Sequence, residues 1–191
     1  MAPKTPNGVF GAKVMWGYFN GFLDSLRDVH GNAVMSSRAV LERTFPGLRG
    51  WILLVRRDKV RQAVSLWKAM QTSTWRRDAG DGHLVAEDLR YSFDGLDHLV
   101  RQFAEHEQEW RWFLRDHGIA PYEIAYEDVV TDYEGSALAI VDLLGIPRPA
   151  TVDFAPRRME RQADAVSEEW VSRYRAESAA RGGAELAAAS G

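Results

Sequence analysis

The sequence predicts an α/β domain in which a parallel sheet is flanked by helices. Residues 51–55 form a continuous apolar run, and residues 122–125 form a second short candidate strand. Between them, apolar residues recur at spacings of three and four, which is typical of amphipathic helices. Strands that alternate with helices indicate parallel pairing. We therefore expect a ligand site at the carboxyl ends of the strands.

Two helices are predicted before the first strand. Residues 1–8 are rich in Pro, Gly and Asn and are expected to be coil. Spaced apolar residues predict a helix over 18–29, which His30-Gly31-Asn32 ends. A second helix is expected over 37–44, because the Phe45-Pro46-Gly47 that follows cannot continue it.

The first strand and the helix after it form the most informative unit. The run from Trp51 to Val55 lacks alternation, which predicts a strand buried on both faces. Asp58 stands where an N-cap would open the next helix. The buried side of that helix is expected to carry Val60, Ala63, Val64, Trp67 and Met70.

The remaining elements follow a polar stretch at residues 76–92, which is predicted to be a mobile loop. A long apolar stripe from Leu96 to Leu114 predicts a helix that ends near Gly118. The second strand is followed by a helix from about residue 132 to 144, stopped by Gly145. A last helix is expected to begin near Ser167, and the small-residue tail at 179–191 is expected to fray.

Composition bounds the possible functions. The chain has 191 residues, 46% hydrophobic and 27% charged, and 24 Lys and Arg against 27 Asp and Glu give a net charge of −3. This describes one soluble domain, and the slight acidity argues against nucleic-acid binding. The absence of cysteine excludes disulfides and thiol chemistry, and the five histidines show no metal-ligand spacing. No transmembrane run or secretory signal is found, so we expect a cytoplasmic protein.

A local excess of basic residues surrounds the end of the first strand. Between positions 49 and 61 there is one acid, Asp58, and there are five basic residues: Arg49, Arg56, Arg57, Lys59 and Arg61. Cations at a helix N-terminus oppose the helix dipole, whereas a bound phosphate would be held by the backbone N–H groups and a guanidinium together. The cluster thus favours an anion site; a solvated helix start with a local ion pair is the alternative.

Ser65 extends this candidate site along the helix. It lies eight residues after Arg57 and four after Arg61, so Arg61 and Ser65 share a helical face. Its hydroxyl could donate to the anion that Arg57 holds. The alternative is a small helix residue that faces a neighbouring element.

The segment from Leu54 to Thr72 resembles the bacterial trehalose 2-sulfotransferase family, a branch of the sulfotransferases that use 3′-phosphoadenosine 5′-phosphosulfate (PAPS). Further similar segments occur in family order and cover nearly the whole chain. They are Asn7–Trp16, Phe45-Pro46, Tyr126-Glu127-Asp128, Leu143-Leu144-Gly145, Arg161–Asp164, Trp170 and Arg173-Tyr174.

The resemblance implies a three-layer fold like that of P-loop kinases, with PAPS as co-substrate, no obligatory metal and a homodimer. It implies sulfuryl transfer to a hydroxyl of trehalose or a related sugar or glycolipid. In the wider class, an arginine at a strand end and a serine eight residues on bind the 3′-phosphate of the donor, a spacing that Arg57 and Ser65 match. Arg161 would close over the nucleotide, although Arg157 and Arg158 are equally available.

The resemblance also implies a place for the acceptor and a departure from the family. Asn7, Phe10, Lys13 and Trp16 would face the sugar, with core packing as the alternative for the two aromatic residues. The family begins with a strand, a Gly/Ser/Thr-rich loop and a helix that cradle the phosphosulfate, and a glutamate there is its catalytic base. Nothing before Asn7 matches this segment, so we expect a shortened family member in which no catalytic residue can be assigned.

Two functional alternatives to a sulfotransferase are weighed at this point. A non-catalytic nucleotide-binding or dimerisation module derived from a sulfotransferase would keep the anion site without turnover. A kinase of related fold is disfavoured, because no phosphate-loop spacing is present. Glu127 and Asp128, after the second strand, would be either a paired-carboxylate site or, more simply, a helix N-cap.

Overall fold

The computed structural model describes residues 9–72, 89–148, 152, 154 and 164–189. It divides the chain into two compact units, Met1–Trp51 with His106–Pro121 and Ile52–Glu105 with Tyr122–Gly191. The elements in chain order are α1 (Trp16–Val29), α2 (Ser37–Thr44), β1 (Ile52–Val55), α3 (Lys59–Thr72), α4 (Phe93–Asp116), β2 (Tyr122–Ala125), α5 (Tyr126–Thr131), α6 (Tyr133–Leu143) and α7 (Ala165–Ala189).

The first unit contains α1, α2 and the carboxyl-terminal part of α4. Its core includes the ring of Phe19, whose centroid lies 4.6 Å from that of Trp110 and 4.8 Å from that of Phe113. Ser36 caps α2 by accepting a hydrogen bond from the backbone N–H of Ala39. Gly118 takes a φ of 64°, which ends α4 where the sequence predicts.

The second unit contains the sheet. Strands β1 and β2 run parallel, with Ile52 opposite Tyr122 and Val55 opposite Ala125. Their carboxyl ends therefore lie at the same edge of the sheet. The predicted α/β class with a small parallel sheet among helices is confirmed.

The core of the second unit lies between three helices. Ala63 and Val64 of α3 and Leu96 of α4 are almost fully buried there. Helix α7 contributes the buried Trp170 and Tyr174, and the hydroxyl of Tyr174 donates to Asp97 at 2.8 Å. This core fixes the position of α3.

Strand β1 is not buried on both faces, contrary to the sequence prediction. Leu53 and Val55 are buried, but Ile52 and Leu54 are 43% and 53% exposed. The described part of the sheet has two strands, and the described residues cover only one face of β1. On α3, Met70 is likewise exposed rather than on the buried side.

The predicted cap of the last helix needs correction. Helix α7 begins at Ala165. Its N-cap is Asp164, whose carboxylate accepts a hydrogen bond from the backbone N–H of Ser167 at 2.9 Å, whereas the sequence predicts a cap near Ser167. It continues to Ala189, and fraying of residues 179–191 stays a prediction. Residues 1–8 and 76–88 lie outside the described residues.

Glu127 and Asp128 are not helix N-caps. The N-cap of α5 is Ala125, which makes no side-chain cap bond, and both acids lie in the first turn of the helix. Their side chains contact another element, the turn between β1 and α3.

Candidate functional site

The candidate site lies at the turn between β1 and α3. Val55 ends the strand, Lys59 begins the helix, and residues 56–58 connect them. The carboxylate of Asp58 accepts a hydrogen bond from the N–H of Arg61 at 3.0 Å, which confirms its predicted role as N-cap. The turn therefore combines a strand carboxyl end with a capped helix N-terminus.

The residues that follow β2 contact this turn one by one. The guanidinium of Arg56 lies over the ring of Tyr126, 4.6 Å from its centroid. The backbone N–H groups of Arg57 and Asp58 donate to the two carboxylate oxygens of Glu127, at 3.1 and 3.2 Å. This pairing of consecutive residues follows from the parallel register, which brings both strand ends to one edge.

Arg57 holds a carboxylate in a two-point contact. Its Nη1 donates to Asp128 Oδ1 at 2.7 Å and its Nη2 donates to Asp128 Oδ2 at 2.6 Å. The two side chains are 61% and 54% exposed, so the pair is open to solvent. The guanidinium thus presents the fork geometry that carboxylate and phosphate oxygens both accept.

The titration of these groups follows from their contacts. Burial raises the pKa of Glu127, but the backbone N–H groups of Arg57 and Asp58 and the nearby charge of Arg56 lower it more strongly. Burial lowers the pKa of Arg56. The hydrogen bonds between Arg57 and Asp128 raise the pKa of the arginine and lower the pKa of the carboxyl. Both carboxylates are therefore anionic at neutral pH.

Arg61 is held in an ion-pair chain rather than left open. Its Nη2 donates to Glu168 of α7 at 2.7 Å, and its Nε lies 3.2 Å from Asp58. Arg175 binds the same carboxylate of Asp58 at 2.9 Å. Arg57 and Arg61 of the basic cluster are thus paired with acids, and the contact between Arg61 and Asp58 is the local ion pair expected as the alternative to an anion site.

Ser65 lies half-buried on α3, one turn beyond Arg61. One further turn along, Lys68 donates to both carboxylate oxygens of Asp164 at 2.6 Å and to the hydroxyl of Ser167 at 3.0 Å. These bonds tie the start of α7 to α3 within the second unit. They also position Asp164, the last residue of the family-like segment that contains Arg161.

The other predicted site residues belong to the first unit or lie outside the described residues. Phe10 is 45% exposed, and its ring stacks on that of Phe45 with centroids 6.4 Å apart. Lys13 is exposed. Trp16 is half-buried against Trp110, with centroids 5.0 Å apart, as core packing would have it. Asn7, Arg161, Arg157 and Arg158 lie outside the described residues.

The contact of Glu127 and Asp128 with the turn at residues 56–58 is the feature that the sequence prediction lacks. The sequence places basic residues after one strand and acids after the other, and parallel strands bring both sets to one edge. Pairing the two signals would have required the order of the strands in the sheet. Among the described residues, no group of three or more His, Asp or Glu could hold a metal ion. None of the described helices has the length and hydropathy needed to cross a bilayer.

Comparison with known proteins supports the sequence resemblance. The sequence model of the Stf0 sulphotransferase family matches residues 1–177. The trehalose 2-sulfotransferase of Mycobacterium tuberculosis is 32% identical over 178 residues, which cover 91% of this chain and 63% of that protein. The trehalose 2-sulfotransferase of Mycolicibacterium smegmatis is 31% identical over 183 residues, which cover 90% of this chain and 62% of that protein. The chain thus spans somewhat less than two thirds of the length of these curated relatives.

Proposed function

The chain belongs to the Stf0 sulphotransferase family, and from this premise we propose that it binds PAPS and serves in sulfuryl transfer to a hydroxyl of trehalose or a related sugar. In this reaction the acceptor oxygen bonds to sulfur, the bond from sulfur to the donor phosphate breaks, and the hydroxyl proton passes to a base. The products are a sugar sulfate and adenosine 3′,5′-bisphosphate.

The observation that carries the proposal is the two-point contact of Arg57 with a carboxylate. In this contact the guanidinium is exposed and oriented so that it can bind two oxygens of one anion. It lies at a strand end beside a helix N-terminus, where anions are favoured. A phosphate monoester offers the same pair of oxygens with a greater charge. Arg57 would hold the 3′-phosphate of the donor, and the Ser65 hydroxyl would donate to it from the next turns of α3.

Two carboxylates, those of Glu127 and Asp58, hold the backbone around Arg57. Glu127 accepts both N–H groups at residues 57 and 58, and Asp58 caps the helix that carries Ser65. The turn and the helix that follows it thus set the positions of the two proposed ligand groups. Arg161 over the nucleotide, and Asn7, Phe10, Lys13 and Trp16 at the acceptor, stay predictions, as do a homodimer and a cytoplasmic location.

Binding of adenosine 3′,5′-bisphosphate to Arg57→Gln and Ser65→Ala tests the proposed site. Loss of the charged two-point contact should weaken binding roughly ten- to a hundredfold, and loss of the hydroxyl roughly three- to tenfold. Isothermal titration calorimetry measures both. The matched control is Arg38→Gln, which removes another exposed, ion-paired arginine and should leave the affinity unchanged.

Transfer of labelled sulfate from PAPS to trehalose and to a panel of other disaccharides tests the activity. Sulfated trehalose as the main product would support the proposed acceptor. Tight bisphosphate binding without transfer to any sugar would instead support the non-catalytic nucleotide-binding module. Unchanged affinity in Arg57→Gln would show that the donor site lies elsewhere.

A further inference from the structure

The two members of the carboxylate pair bind the same turn in different ways. Glu127 is half-buried and its two oxygens satisfy two backbone N–H groups. Asp128 is exposed, and its side chain binds the side chain of Arg57 and no other group among the described residues. Removal of the first would leave backbone donors without these acceptors, whereas removal of the second would leave only a solvated guanidinium.

The contact made by Asp128 uses the atoms that a phosphate would need. Both terminal nitrogens of Arg57, Nη1 and Nη2, donate to the aspartate oxygens. A phosphate that approached Nη1 and Nη2 of Arg57 would meet the carboxylate of Asp128 already bound there, and the two anions would repel each other. The phosphate therefore binds only the fraction of molecules in which the guanidinium is released.

We propose that Asp128 is an internal competitor for the donor phosphate, and that phosphate binding displaces Asp128 from Arg57 while Glu127 stays on the backbone of the turn. This inference rests on the proposed function of Arg57. In the absence of ligand, Asp128 holds the arginine in its binding orientation. On binding, the exposed ion pair is exchanged for a stronger contact with a doubly charged anion.

A consequence is selectivity by ligand charge. A singly charged anion gains no more from Arg57 than the aspartate already does, so it has no advantage in displacing the aspartate. A phosphate monoester dianion gains more and can displace the aspartate. Asp128 thus favours phosphate esters over abundant monovalent anions at this site.

The affinity of Asp128→Asn for adenosine 3′,5′-bisphosphate tests the inference. The amide keeps the shape of the side chain and loses its charge, so binding should tighten roughly three- to tenfold. In the Arg57→Gln background, the same substitution should change the affinity by less than about twofold, because the competition requires the arginine. Asp116→Asn controls for the change in net charge, since it removes another exposed aspartate and should leave the affinity unchanged.

Glu127→Gln separates the two carboxylates. Because this side chain anchors the turn, its amide variant should weaken bisphosphate binding rather than strengthen it. Circular dichroism verifies that each variant is folded.

The outcomes distinguish this inference from the proposed function. If wild type binds the bisphosphate through Arg57 but Asp128→Asn binds with equal or weaker affinity, the competitor role is wrong and the donor site stands. Tightening that persists in the Arg57→Gln background would also overturn it. If neither wild type nor Asp128→Asn binds the bisphosphate, the assignment of the donor site fails and the inference fails with it.

Discussion

The start of helix α3 and its middle are held by different physical means. Its first turn is held by carboxylates, and the contact between Arg57 and Asp128 there is more than half exposed. Its middle packs Ala63 and Val64 into a core where almost no surface is accessible. Exposed ion pairs contribute little to folding and exchange partners easily, whereas buried apolar contacts are large and fixed. The core thus positions a turn whose own charges stay available to a ligand.

The largest expected effect comes from the core beside α3. Leu96→Ala removes a fully buried side chain and should lower the free energy of unfolding by about 2–5 kcal/mol. Chemical denaturation measures the loss. Arg57→Gln serves as the contrast from the exposed turn, and its unfolding midpoint should not differ from wild type. An equal loss of unfolding free energy in the two variants would contradict the claim that the core contributes more to stability than the exposed turn.

The next largest loss of stability is expected where Gly95 of α4 packs closely against Trp67 of α3. An added Cβ at Gly95 would lie 2.7 Å from the indole of Trp67, which is itself held by a hydrogen bond from Nε1 to the carbonyl of Arg90 at 2.8 Å. Gly95→Ala should therefore destabilise the protein by about 1–3 kcal/mol despite the better helix propensity of alanine.

Gly21→Ala is the matched control for this helical glycine. No atom lies within 4 Å of a Cβ added at Gly21, so the free energy of unfolding of this variant should rise by about 0.5–1 kcal/mol. Thermal unfolding compares the two, and stabilisation by both substitutions would contradict the close packing of Trp67.

The smallest effect is expected at the ion pair of Lys68 and Asp164, which is less buried than the core and less exposed than the contact between Arg57 and Asp128. Burial raises the pKa of Asp164, but the hydrogen bonds from Lys68 and Ser167 lower it more, and the folded pKa lies below the ordinary aspartate value. The pair therefore stabilises the fold above the unfolded pKa near 3.9, and that stability is lost as the pH falls through the folded pKa.

Lys68→Met should remove this contribution. At pH 7 the variant should lose about 1 kcal/mol, since the lysine is mostly buried but the aspartate is partly solvated. As the pH falls from about 5 to below 4, the difference from wild type should shrink. Unfolding free energies measured along this pH series test the prediction, and a difference that does not vary with pH would count against the ion pair.

Prediction from the sequence succeeded where signals are local. The bounds of α2, the cap at Asp58 and the stop at Gly118 follow from residues within a few positions of each other. The prediction for β1 was wrong because the burial of Ile52 and Leu54 depends on what covers each face of the sheet. Asp164 was missed as the cap of α7, since Ser167 lies close by and offers a similar signal.

The α/β class, the family and the concentration of basic residues after β1 can all be recognised from the sequence, because they depend on periodicity, composition and motif order. The partners of those basic residues depend on how the chain folds. Parallel pairing of β1 with β2 brings Glu127 and Asp128, about 70 positions away in the chain, onto the turn at residues 56–58. Charge pairing acts through space over a few ångströms, so its partners are set by strand register rather than by order along the chain.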